Sequence, residues 1–213
     1  MGLTKIDHKD YAYILADGKI RVQSVEGDPE AVKREYETSD GKTGVKFEKV
    51  YDKIDGKITF IGFKDGDYGK QLQVEIDGIN LMMNTNSNFG EDLMKKIPNV
   101  NLELPVELSP YNFTNDKGRS VKGISVIQNE EKITNYFYDA EEAKVINGYP
   151  APEGDTKTFD GDDWKVYFTI ARKFLIKYIE ENIITKMTLE ELPVGGVVTG
   201  SDDDEIKVED LPM

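Results

Sequence analysis

Residues 87–100, SNFGEDLMKKIPNV, read as one helix set among segments that otherwise read as strands. Phe89, Leu93 and Ile97 recur at four-residue spacing, which places them on a single helical face, and Pro98 lacks the N–H that a further turn would need. The segments before it alternate. YAYILADGKIRVQSV (11–25) is two alternating runs about Asp17-Gly18, a pair that tolerates the positive φ of a type I′ hairpin turn. Residues 34–63 repeat the device at Asp40-Gly41 and at Asp55-Gly56. In GKQLQVEIDG (69–78) Leu72, Val74 and Ile76 fall on one face and Gln71, Gln73 and Glu75 on the other, the period of a half-buried strand. INLMMNT (79–85) follows a turn at Asp77-Gly78, and VELSPYNFTNDKGRSVKGISVIQ (106–128) supplies two further strands around Asp116 to Gly118.

That order predicts a mainly β fold with minor α: a five-stranded OB-type barrel, its helix between the third and fourth strands, with extra hairpins. A sandwich is the other arrangement such strands could take. Residues 139–163 hold eight acids against two lysines and read as an acidic connector. DWKVYFTIARKFLIKYIEENII (163–184) then carries Trp164, Phe168, Ala171, Leu175, Tyr178 and Ile179 on a helical stripe. The stripe packs on the barrel or on a second copy, the latter making a homodimer. Three units are therefore expected: residues 1–138 as the barrel domain with its N-terminal hairpin, 139–198 as connector and C-terminal helix, and 199–213 as a disordered acidic tail.

Composition narrows the chemistry. The chain of 213 residues has a net charge of −14, no cysteine and one histidine, His8. Thiolate chemistry and Cys-ligated zinc are excluded, and a triad or a His-based metal centre would have to be built on His8 alone. Neither a secretory leader nor a run of about 18 apolar residues is seen, so no membrane association and a cytoplasmic location are expected. GFKDGDYGKQ (62–71) is glycine-rich but fails as a phosphate loop: Lys64 stands where the first glycine belongs and Gln71 where the hydroxyl belongs. The acids of FDGDDW (159–164) and SDDDE (201–205) read as solvated loops rather than as paired catalytic carboxylates. No enzyme signature and no cofactor emerge.

What stands out is aromatic residues interleaved with basic ones. Residues 31–74 hold nine Lys/Arg against eight Asp/Glu, so this half can present a basic face inside an acidic protein. The combinations are Arg34 with Tyr36, Lys46 with Phe47, Lys64 with Tyr68 and Lys70, and Tyr111 and Phe113 with Lys117, Arg119 and Lys122. Flat rings stack on unpaired bases at about 1–3 kcal/mol each while cations follow the phosphates, so these twelve are the candidate single-stranded DNA contacts. Tyr68 and Tyr111 lead because each sits beside Gly or Pro in turn-like sequence.

Residues 34–58, 62–78, the helix end MKKIPNV (94–100) and residues 108–128 together resemble the phage-type single-stranded DNA-binding proteins with an OB fold. The resemblance implies DNA coating without strong sequence preference in replication, recombination or repair. Residues 201–213 strengthen it, with six acids against one lysine and then Asp210, Leu211, Pro212 and Met213, similar to the acidic run and apolar tip of that family. Such a tip docks replication or recombination proteins; here it ends in Met where the family has an aromatic residue. A tethered polyanion would also compete with DNA for a basic groove. The alternatives are an acidic β-barrel adaptor and a DNA-mimic interaction protein, neither of which binds nucleic acid.

Overall fold

The alternation along each strand decides which side it turns inward. In the computed structural model, which describes residues 10–38, 41–66 and 69–190, β1 (Asp10–Ile14) and β2 (Ile20–Ser24) form a hairpin pairing Ala12 with Val22 and Ile14 with Ile20. All four pack into the core, while Tyr13, opposite Arg21, faces out. β3 (Val32–Glu37) and β4 (Thr43–Tyr51) form the next hairpin, and β4 also pairs with β2. The chain leaves through β5 (Ile54–Gly56) and returns as an antiparallel meander of β6 (Ile58–Gly66), β7 (Gly69–Ile76) and β8 (Ile79–Asn84). β8 then joins β1 in parallel, completing a seven-stranded sheet in the order β3-β4-β2-β1-β8-β7-β6.

A smaller sheet, β11-β10-β9-β5, comes from β9 (Val106–Thr114), β10 (Ser120–Gln128) and β11 (Glu131–Lys132). Strands β12 (Tyr138–Asp139) and β13 (Lys144–Val145) form a separate antiparallel pair. Helix α1 (Asn88–Lys96) lies between β8 and β9, and α2 (Gly161–Ile179) continues through a π-helical turn, Glu180–Ile184, into α3 (Thr185–Glu190). One apolar cluster unites these parts: Leu72, Val74 and Ile76 of β7, Leu108 of β9, Ile124 and Val126 of β10, Leu93 and Ile97 beside α1, and Leu175 and Ile179 of α2. Phe137 is 1 % exposed, with its ring 5.0 Å from Tyr178, 5.1 Å from Tyr136 and 5.5 Å from Phe174, which ties α2 to the segment between β11 and β12.

Helix α1 joins the two sheets by an unusual contact. Ser87 caps it, its side chain accepting from the Gly90 N–H at 3.1 Å. One turn later Asp92 accepts from the Ile124 N–H at 2.8 Å, and Lys96 donates to the Ile124 carbonyl at 2.5 Å while pairing with Asp92 at 2.8 Å. Along this edge of β10 the strand β11 reaches only Ile127 and Gln128, so both backbone groups of Ile124, which stands opposite Pro110 of β9, go to a helix instead of a strand. Gly123 makes the approach possible, because a Cβ there would lie 2.4 Å from the Asp92 carboxylate and from the Tyr111 hydroxyl.

Three expectations are corrected. The strands do not close into a five-stranded OB-type barrel: side chains, not ladders, occupy places where closure would run, with Asp92 and Lys96 on β10 and the Asn112 amide on the Ala16 carbonyl at 2.9 Å. Asp55-Gly56 is no hairpin turn, since both residues lie in β5, opposite Glu107 and Val106 of β9. The turn at Asp77-Gly78 does form, with φ of 45° and 87°. FDGDDW is not simply loop: Asp160 caps α2 in a capping box, its carboxylate accepting from the Asp163 N–H while the Asp163 carboxylate accepts from the Asp160 N–H. No described helix is long and apolar enough to cross a membrane.

Replacing Asp92 by Ala leaves Lys96 charged at a site only 7 % exposed and the Ile124 N–H without an acceptor. The expected cost is on the order of 2–3 kcal/mol, read as a lowered urea midpoint with an unchanged slope.

Candidate nucleic-acid interface

The side of the seven-stranded sheet turned away from the core collects most of the polar and aromatic residues of its strands. Register places Arg34 opposite Lys46, Tyr36 opposite Gly44, Gln23 opposite Glu48, and Arg21 opposite Tyr13. Across β8 and β7 the same face continues through Met82, Gln73 and Gln71 to Gly62 and Lys64 on β6. Tyr11, Tyr13 and Phe60 stand on it with 41 %, 46 % and 44 % of their surfaces exposed. A groove of about 310 Å³ crosses its middle, lined among others by Tyr13, Arg34, Lys46, Gln71 and Asn84.

Two of the rings lie against glycines. A Cβ on Gly44 would come within 2.5 Å of the Tyr36 ring, and one on Gly62 within 2.5 Å of the Phe60 ring. Glycine in a strand here makes room for a ring on the sheet surface. Lys46 sits with its ammonium 5.2 Å from the centre of the Tyr36 ring, which couples the first aromatic–basic pair directly.

The cations divide into engaged and unengaged. Arg34 grips Glu48 through two hydrogen bonds of 2.7 Å, and Arg21 approaches the same carboxylate at 3.4 Å. Glu48 is 7 % exposed, and the Arg34 guanidinium holds its carboxyl below the usual carboxylate range against the opposing effect of burial. Lys70 points toward the other side, 5.7 Å from the Phe63 ring and 3.7 Å from Glu180. Lys46, Lys64, Lys117, Arg119 and Lys122, in contrast, make no ion pair among the described residues.

The twelve predicted contacts therefore separate into groups. Arg34, Tyr36, Lys46 and Lys64 share the outward face. Phe47 does not: opposite Ser24 and Lys33, it points to the reverse side of β4, as strand alternation next to Lys46 requires. Tyr68 and the tip residues Asp210, Leu211, Pro212 and Met213 lie outside the described residues. Tyr111 and Phe113 stand together on the β9–β10 hairpin with ring centres 5.8 Å apart, and Lys117 and Arg119 are exposed at its turn. Tyr111 and Lys122 line a second cleft with α1 and α2. The hairpin adjoins the outward face, for a Cβ on Gly18 in the β1–β2 turn would lie 3.0 Å from the backbone of Tyr111 and Asn112.

Tyr11, Tyr13 and Phe60 were not among the predicted contacts, yet their signal was present. In YAYI the tyrosines alternate with Ala12 and Ile14, so if the latter are buried the former must face out.

The Glu48 carboxylate contributes stability above its unfolded pKa of about 4.3, and that contribution is lost as pH falls through its lowered folded value. Glu48→Gln should thus be less stable than the parent at pH 7 and approach it below about pH 4. Urea midpoints of both proteins across that range check it; a gap that is constant with pH refutes the ion-pair assignment. No protein-family model, curated protein or solved structure matches the chain.

Proposed function

We propose that the protein binds single-stranded DNA without strong sequence preference, laying the strand across the outward face of the seven-stranded sheet. The observation that carries this reading is the union, on one face, of rings resting on glycines with lysines that make no ion pair among the described residues. Rings offer every base the same π surface, and ammonium groups follow phosphates regardless of sequence. Seven strands at about 4.8 Å spacing make a platform roughly 29 Å wide, room for several nucleotides. The buried Glu48 offsets one of the two charges of Arg34 and Arg21, so this cluster remains net positive beside Lys46. Such a protein would serve phage-like replication, recombination or repair, and performs no reaction of its own.

A second reading, a protein-binding adaptor, is favoured by one observation. Val166 and Ile170 on the first half of α2 are 60 % and 52 % exposed and form an apolar surface with Phe159 and Tyr167.

Titration of labelled oligothymidine separates the two. Tyr36→Ala should lower affinity by about 5- to 100-fold, the range for one lost stacking contact. Gly44→Ala should weaken binding as well, because its methyl group displaces the Tyr36 ring without removing it. Failure of the parent protein to retard the oligonucleotide in dilute salt would sink the reading and leave the adaptor.

The acidic run in residues 201–213 bears on the same groove by charge alone. Its removal should tighten DNA binding at low salt and matter little at high salt. Unchanged or weaker low-salt affinity of the shortened chain would refute competition.

A further inference from the structure

Helix α2, which belongs to no part of the sheet face, walls a second cleft of about 480 Å³ against α1 and the β9–β10 hairpin. That volume is within the roughly 300–1,000 Å³ of small-ligand sites. Its lining combines three kinds of group: the rings of Tyr111 and Phe168, the cations Lys122 and Arg172, and the amides of Asn86 and Asn88. The carboxylates that also reach it are already answered, Glu91 by Lys95 at 2.6 Å and Asp92 by Lys96 at 2.8 Å. Lys122 and Arg172 are not. Arg172 makes no ion pair among the described residues, and its Nε is a buried donor without an acceptor. A guanidinium has five donors in a fixed fork, which matches the oxygens of a phosphate.

We infer that this cleft holds one nucleotide of the bound strand, its base against Tyr111, its phosphate on Arg172 and Lys122, and its base edge within reach of the Asn86 and Asn88 amides. The assignment rests on the single-stranded DNA reading and extends it from the sheet to α2. The cleft and the sheet groove are neighbours along one stretch of chain, since Asn84 and Ser87 line the groove while Asn86 and Asn88 line the cleft. A strand crossing the sheet can therefore turn into it beside the cap of α1. Both amides are free of side-chain hydrogen bonds among the described residues, and an amide can donate or accept, so it tolerates every base.

The site carries its own reporter. Phe168 stacks on Trp164, the chain's single tryptophan, with ring centres 5.7 Å apart and planes inclined by 26°. A base entering beside Phe168 alters the surroundings of that indole, whereas a strand confined to the sheet face does not.

The test titrates the full chain and its Arg172→Gln, Lys122→Gln and Tyr36→Ala variants with oligothymidine, following both anisotropy of a label and Trp164 emission across a salt series. Each cleft variant should bind several-fold more weakly, lower the slope of log K against log salt by about 0.7, and lose most of the Trp164 response. Tyr36→Ala should bind more weakly yet keep the full salt slope and the Trp164 response at saturation. If the cleft variants match the parent in affinity, slope and emission while Tyr36→Ala is weakened, the cleft is not a nucleotide site and the sheet reading stands. If the parent does not bind, both fall. Should Arg172→Gln fail to fold, by far-ultraviolet dichroism, Lys122→Gln on the partly exposed hairpin decides the matter alone.

Discussion

The arrangement depends on how the backbone of Ile124 is satisfied. On the edge of β10 that β11 leaves uncovered, the Ile124 N–H and C=O have no strand to pair with, and an Asp–Lys pair one helical turn apart satisfies both. This contact fixes the β9–β10 hairpin to α1, and α1 follows β8 directly, so the small sheet is held at a set position relative to the large one. It also accounts for the open architecture, because side chains take hydrogen bonds that a strand would have taken in a barrel. The same contact sets Tyr111 next to Asp92, where burial and the neighbouring carboxylate raise the pKa of its phenol and keep it neutral.

The outward face of the large sheet is set by its inner one. Its inner face must supply Ala12, Ile20, Leu72, Val74, Ile76 and Leu81 to the core, and alternation then dictates what faces out. A one-residue slip would exchange the two sets, so the pressure to bury Leu72 and Val74 equally holds Gln71, Gln73 and their neighbours on the surface. Surface residues placed this way need no loop to orient them, and their positions are as firm as the core beneath.

Much of this was legible in the sequence where the signal is local. The alternation at residues 71–76, the Asp-Gly turn at 77–78, and the four-residue spacing of Phe89, Leu93 and Ile97 each encode one element through nearest neighbours, whereas the type I′ turn expected at Asp17-Gly18 is a longer connection in which Gly18, not Asp17, takes a positive φ. The long-range choices were not. Parallel pairing of β1 with β8 joins residues about seventy positions apart, and nothing in either segment declares it. Asp55-Gly56 looks like a turn but is a strand because β9 is there to pair with it. Arg34 and Lys46 look alike in sequence; only the fold brings Glu48 to one and leaves the other with a ring. The candidate face was half visible, since aromatic–basic interleaving marked Tyr36 and Lys46 but ignored the period of two that separates Phe47 from them.

Helix α2 is anchored unevenly. Its buried side chains are Ala171, Leu175 and Ile179, all in the second half, while the turns from Gly161 to Ile170 rest on partly covered aromatics. The first half is thus a cantilever clamped at the Phe137 hub. Swinging it outward withdraws no side chain from the interior, so the gap it borders can widen or narrow with little expenditure of packing energy, and the molecule can adapt its mouth without disturbing its foundation.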